Sequence, residues 1–190
     1  MARAFHQSWK ETDWPCNFYD FGTIGRPTAV ARNTLVRQAR GTHADRVLFI
    51  DDDQAWAPDT VRRLLDNDLD IVGAWSGARY AVRPTPQARI PACVFEERDG
   101  QMRDLQPQTS GLQEVDAIGF AMVAIKRKVF EVLDEPWFRT MRENGGECGE
   151  EISFCERARK AGFTVWVDWG LPLWHQLGGA GSYAGQLSYR

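Results

Sequence analysis

The sequence predicts an α/β fold, an open mixed sheet with helices on both faces. Three observations predict it. A helix-periodic segment at Arg32 to Ala39 runs into the continuous apolar strand Val47-Leu48-Phe49-Ile50; a helix start at Pro58-Asp59 leads to a second apolar strand, Asp70 to Trp75; and a late helix, Glu150 to Ala161, passes through Gly162 into the strand Phe163 to Asp168. Alternation of this kind marks a sheet covered by its own helices.

Taken in order, Ala2 to Trp9 has the character of a helix. In the next helix Leu35, Val36 and Ala39 fall at helical spacing and Gly41 supplies the stop. The run Val47 to Ile50 has the continuous apolar character of a strand covered on both faces, and it ends abruptly in Asp51-Asp52-Asp53. Pro58 and Asp59 open a helix whose stripe is Val61, Leu64 and Leu65. Ala92 to Glu97 and Gln101 to Leu105, separated by Asp99-Gly100, predict a hairpin. Glu114 to Lys126 predicts a central strand or two, kinked at Gly119. In the last helix Ile152, Cys155 and Arg159 mark one side and Phe154, Ala158 and Ala161 another, with Gly162 as the C-terminal cap.

Composition narrows the class. Of 190 residues 43% are hydrophobic, 26% charged and 12% aromatic, which excludes disordered, collagenous and coiled-coil readings. A chain of this size buries roughly 70% of its extended surface, enough for one sizeable core, so a single domain over residues 1–190 is expected. The longest apolar runs, such as Ala117 to Ile125, are about half of the roughly 20 residues a membrane span needs, and no charged-then-apolar leader opens the chain. A soluble, cytoplasmic protein is the expectation. A net charge of −3 provides no global basic field for nucleic acid. Four cysteines (Cys16, Cys93, Cys148, Cys155) without a C-x-x-C pair and three histidines (His6, His43, His175) lack zinc-site spacing, so reduced, mostly buried thiols are expected. The glycine-rich end, 179–190, has the composition of a mobile tail.

The three aspartates closing the first strand carry the most chemistry. Adjacent like charges repel, and burying them is costly unless a cation or ligand neutralises them. On a strand Asp51 and Asp53 would point one way and Asp52 the other, letting two carboxylates reach one divalent ion and a phosphate or ribose beside it. Such hard oxygen ligands suit Mg²⁺ or Mn²⁺. The alternative is a solvated turn whose aspartates cap a helix.

In context the triplet resembles something more definite. Arg32-Asn33-Thr34-Leu35-Val36, then Val47 to Asp53, then Asp70-Ile71-Val72-Gly73 resemble the nucleotide-sugar half of GT-A glycosyltransferases of the family 2 type found in bacteria and phages. Gly119-Phe120-Ala121-Met122, Gly149 to Arg157, Gly162-Phe163, Asp168 and His175 resemble its acceptor half. The resemblance covers roughly residues 30–178, with a donor and metal half at about 30–115 and an acceptor half at about 116–178.

The resemblance implies roles. Asp51 matches the D-x-D carboxylate near the ribose or metal, and Asp53 the main metal ligand; Asp52, Arg32 and Asn33 fall on the donor side. Glu151 matches the carboxylate that serves inverting enzymes as general base, with Glu150 its neighbour; Glu stands here where Asp is commoner, moving the carboxylate by more than an ångström. His175 matches a histidine that completes the metal shell, although beside Trp174 it also suits core packing. Arg79 and Arg83 are positioned to pair with donor phosphates or to lie on a solvated loop. Trp137-Phe138 offers an aromatic face for an acceptor or, alternatively, core packing. One departure stands out: Met1 to Asp13 lacks the apolar first strand that normally helps hold the nucleotide base.

The expected function is transfer of a sugar from a nucleotide-sugar donor, a UDP-sugar by family inference, to a hydroxyl, with Mn²⁺ or Mg²⁺ and a carboxylate base. The acceptor is a glycan or a hydroxymethylated DNA base. A nucleotidyltransferase would release pyrophosphate from a nucleoside triphosphate, and no Gly-rich basic signature for one is visible. A non-catalytic nucleotide-sugar binding module would bind without turnover.

Overall fold

A computed structural model of the chain describes residues 3–23, 25–77, 92–142 and 145–175. In chain order the elements are α1 (Arg3–Glu11), α2 (Thr28–Arg40), β1 (Arg46–Ile50), β2 (Gln54–Ala55), α3 (Thr60–Asp66), β3 (Ile71–Trp75), β4 (Val94–Arg98), β5 (Gln101–Asp104), β6 (Leu112–Val115), β7 (Ala117–Ile118), β8 (Met122–Lys126), α4 (Arg127–Val132), α5 (Glu150–Lys160), β9 (Val165–Pro172) and β10 (Trp174–His175).

The central sheet has the order β1-β8-β3-β9-β6, and two small sheets, β5-β4-β7 and β10-β2, complete the architecture. Only β3 and β9 run parallel among its pairs; β1–β8, β3–β8 and β6–β9 are antiparallel, so the sheet is mixed as expected. Strand alternation divides the apolar side chains between two cores. Phe49, Ile71, Val123, Ile125, Val165 and Val167 face α2, α4 and α5, whose Val36, Phe130, Phe154 and Ala158 close over them. Val72, Ala74, Met122 and Ala124 face the other way, against Phe5 of α1 and Val61 and Leu64 of α3. Helices therefore cover both faces. No helix among the described residues is long and apolar enough to cross a membrane.

Several elements differ from expectation. β1 is an edge strand paired, among the described residues, only to β8; its apolar run packs on both faces as expected, Val47 and Phe49 against one core and Leu48 and Ile50 against the other, although just Phe49 is fully buried. The fully buried strand is β3, buried at all five positions. Residues 112–126 form three strands in two sheets: β6 edges the central sheet, β7 joins the small sheet against β4, and β8 returns to the centre. The break falls at Gly119, where a Cβ would stand 2.8 Å from Cys93 Cβ. The hairpin β4–β5 forms as expected, its turn carried by Asp99 (φ 54°) and Gly100 (φ 75°). None of the four cysteines is in a disulfide, yet only Cys155 is fully buried, its thiol pushed up to about 12 by desolvation; Cys16 is exposed.

The N-terminal segment forms α1 in place of a first strand. It is fastened to the residues after the aspartates: Ser8 Oγ accepts from the Trp56 amide at 3.1 Å, and Thr12 Oγ1 accepts from Trp56 Nε1 at 2.8 Å. Phe5 meets the Trp56 ring edge-on at 5.4 Å.

Candidate functional site

β1 ends at Ile50 and the chain turns immediately, with the Gln54 amide donating to Asp51 O at 3.3 Å and the Asp51 amide to Ala121 O at 3.0 Å. The triplet is thus a turn, and strand alternation does not govern it. Asp52 is exposed at its tip. Asp51 and Asp53 go to different partners.

Asp51 meets Arg32 of α2, whose guanidinium lies 3.5 Å from Asp51 Oδ1 and 2.5 Å from Glu150 Oε1 at the start of α5. The Arg32 side chain is 8% exposed, Glu150 14% and Asp51 44%, so the Arg32–Glu150 contact is the buried one. Burial of an arginine demands partners for its charge and its flat faces; here two carboxylates supply the first and aromatic rings the second, Phe120 at 5.2 Å and Phe138 at 6.0 Å. One arginine thereby joins the aspartate turn to the first turn of α5.

Glu151, the next residue, takes part in no ion pair among the described residues. Burial pushes its carboxyl above the ordinary glutamate range, an effect opposed by a backbone hydrogen bond and reinforced by the neighbouring Glu150 charge. Its carboxylate folds back over Gly149, where a Cβ would stand 2.6 Å from Glu151 Oε1. Any side chain at 149 would displace it. A carboxylate at a helix start whose proton affinity is raised by burial is the type of group that serves as a general base.

Asp53 meets His175 instead. The two-residue strands β2 and β10 pair so that His175 lies opposite Gln54, and this brings His175 Nε2 to 3.6 Å from Asp53 Oδ1. His175 Nδ1 sits 3.3 Å from the Gly77 carbonyl. A carbonyl only accepts, so Nδ1 carries the proton in this contact, leaving Nε2 as the ring atom that faces Asp53. Carboxylate with imidazole is a donor set that Mn²⁺ accepts. The residues therefore fit a divalent ion. Among the described residues no three His, Cys, Asp or Glu side chains converge into a complete shell.

Other expected site residues are placed elsewhere. Asn33 spends its amide on structure: Nδ2 donates to Ala29 O and Phe138 O, and Oδ1 accepts from the Phe138 amide. Trp137 is 1% exposed, with Nε1 donating to Phe130 O and Leu133 O at 3.0 Å each, and Phe138 is 2% exposed, stacked 4.8 Å from Phe154. Trp137 offers no aromatic face to an acceptor, because its ring is consumed by the core; Phe138 is spent on the core and on Arg32, and it also contributes to the wall of the cavity beside α2. Beside α2 is an open cavity of about 500 Å³ whose lining includes Ala29, Val30, Arg37, Arg139 and Met141. Arg79, Arg83 and the segment 179–190 lie outside the described residues.

Two contributors had no assigned role in the sequence reading. Phe120 stood in the Gly119 to Met122 motif, which signalled the position without a function. Gln54 carried no signal except adjacency to the triplet; it is fully buried and donates from Nε2 to Asp53 Oδ1 at 2.9 Å.

The fold is GT-A-like. No protein-family model matches the chain, and no curated protein matches it. Among solved structures it is similar to GalNAc-T7, determined with UDP, GalNAc and Mn²⁺, at 15% identity and a TM-score of 0.56 over 83% of this chain and 32% of that one. It is also similar to A197 from STIV, at 17% identity and a TM-score of 0.54 over 80% of this chain and 69% of that one. The chain thus spans about a third of the GalNAc-T7 chain. These likenesses are of fold.

Proposed function

We propose that the protein is a metal-dependent glycosyltransferase that moves a sugar from a nucleotide-sugar donor, a UDP-sugar in keeping with the GalNAc-T7 complex, to an acceptor hydroxyl with inversion. The observation that carries the reading is the double ion pair of buried Arg32, which links Asp51 of the aspartate turn to Glu150 beside Glu151 on a GT-A-like fold. Residues 30–115 serve the donor and metal and 116–178 the acceptor, within one catalytic domain. The setting proposed is the cytoplasm, and the acceptor a glycan or a hydroxymethylated DNA base.

In this mechanism Asp53 and His175 are the residues that would hold Mn²⁺ or Mg²⁺. When bound, the ion stabilises negative charge developing on the departing diphosphate. Asp51 and Arg32 border the donor, with Asp52 at the rim; Arg79 is proposed to meet its phosphates. Glu151 accepts the proton of the acceptor hydroxyl as that oxygen bonds to the anomeric carbon, and the bond from that carbon to the diphosphate oxygen breaks with its electron pair leaving on the nucleoside diphosphate. Arg32 holds Glu150 as a paired carboxylate, which limits like-charge repulsion at Glu151. The cavity beside α2 offers room for an acceptor.

Calorimetric titration of UDP and GDP with and without Mn²⁺, on the native protein and on Asp53→Ala, tests the donor half, and nucleoside diphosphate release from UDP-sugars tests turnover. The expected result is metal-dependent UDP binding, lost in Asp53→Ala, and UDP release with a suitable acceptor. Pyrophosphate release from a nucleoside triphosphate would establish a nucleotidyltransferase instead. Binding without turnover across acceptors would reduce the protein to a binding module, and absence of nucleotide binding would end the proposal.

A further inference from the structure

The fully buried Gln54 stands between the two groups assigned to the metal. Its Nε2 donates to Asp53 Oδ1 at 2.9 Å, the same oxygen that faces His175 Nε2 at 3.6 Å, and its backbone is paired opposite His175. Among the described residues, its Oε1 is the one buried side-chain polar atom without a hydrogen-bond partner. That arrangement is unfavourable as architecture. An apolar side chain of similar length would fill the same volume without stranding an amide oxygen, the relief of that oxygen offsetting the one hydrogen bond lost to Asp53.

The surroundings sharpen the point. β2 is pinned on one side by α1, through the Ser8 and Thr12 bonds to Trp56, and on the other by β10. Gln54 is thus held on a fixed backbone, and its amide N–H points at the Asp53 carboxylate. A hydrogen bond to Oδ1 from a held amide restrains the rotation of that carboxylate. Partners of this kind around metal ligands typically control affinity by about 10–100-fold.

We propose that Gln54 is a positioning residue for the divalent metal: its amide N–H fixes the Asp53 carboxylate in the orientation that receives the ion, at the expense of a stranded Oε1. The inference rests on the metal-dependent reading above. It assigns Gln54 no contact with donor or acceptor. Its effect passes through Asp53 alone.

The test compares the native protein with Gln54→Met, and with Gln54→Leu as a second isostere should the first fold poorly. Three quantities are read: melting temperature in metal-free buffer, Mn²⁺ affinity in the presence of UDP by calorimetry and by the electron paramagnetic resonance signal of free Mn²⁺, and the Mn²⁺ dependence of UDP release. The expected result is a melting temperature equal to or above that of the native protein, Mn²⁺ binding weakened about 10–100-fold, and a turnover rate that recovers at saturating Mn²⁺. In an Asp53→Ala background the Gln54 substitution adds no further loss of Mn²⁺ affinity. Unchanged Mn²⁺ affinity in a folded variant overturns the role of Gln54 while leaving the metal-dependent reading intact. A variant that loses stability yet binds Mn²⁺ as tightly as the native protein overturns it equally, since Gln54 is then structural. Failure of the native protein to bind Mn²⁺ with UDP overturns both.

Discussion

The two halves of the candidate site meet their carboxylates with different groups. Around Arg32 the protein supplies its own counter-ion: one buried guanidinium answers Glu150 and Asp51 and rests on Phe120 and Phe138. Around Asp53 a carboxylate, an imidazole and an amide converge, with His175 Nε2 at 3.6 Å and Gln54 Nε2 at 2.9 Å from Asp53 Oδ1. The first half resembles a structural joint between α2, β1 and α5. The second is the place the proposed function assigns to the divalent ion. Under that proposal the site needs both: the joint sets the distance to Glu151, and Asp53 with His175 receives the ion.

The sharpest way to break this comparison is at Glu151. Glu151→Gln is expected to lower turnover about 10²–10⁴-fold, the range for loss of a general base, while UDP and Mn²⁺ binding persist. A variant that turns over at the native rate would move the base elsewhere. Next in size is the joint itself. Arg32→Met strands Glu150, and removing one partner of a buried ion pair costs about 3–5 kcal/mol; because Asp51 is half exposed, the lower end, about 3 kcal/mol in urea unfolding, is expected. Adding Glu150→Met should restore most of that loss, since an apolar pair of similar volume is often no less stable than a buried ion pair. Absence of recovery would mean that Arg32 is held mainly by its aromatic contacts.

The smallest effect is a stability difference that depends on pH. Burial holds the Glu151 carboxyl above its ordinary range, so the folded state binds this proton more tightly than the unfolded chain does. Its destabilising contribution is absent below the ordinary glutamate value of 4.5 and develops as pH rises through the folded value. Glu151→Gln should therefore melt higher than the native protein at neutral pH, with the advantage fading as pH falls towards 4.5. A pH-independent difference would assign the effect to packing.

Much of this site was legible before folding because its components sit at local landmarks. The aspartate turn follows the strongest apolar run, and Glu150 and Glu151 open a helix closed by Gly162. Their convergence was legible only through the resemblance, since residues 32 and 150 are separated by 118 positions. Other features left no such mark. An aromatic pair after a proline has the same composition whether it stacks on a sugar or fills a core, and Trp137 and Phe138 fill the core. The run from Glu114 to Lys126 is apolar enough for one long strand, yet the close approach of Cys93 at Gly119 divides it between sheets. Strands of two residues, such as β2 and β10, have no periodicity to detect.

By itself the sequence determined α1, α2, α3 and α5, the principal strands, the Asp99-Gly100 hairpin and the identity of the acidic groups, because propensity, capping and apolar period act over a few neighbouring residues; the short helix α4 went unread. Only the tertiary structure decided that Asp51 faces Arg32 while Asp53 faces His175, that Asn33 serves the backbone at Phe138, and that Gln54 is buried against the Asp53 carboxylate. Those outcomes depend on which faces of the sheet the helices cover and on where the chain turns after β1. They are set by packing and charge compensation between residues far apart in the chain, which no local pattern encodes.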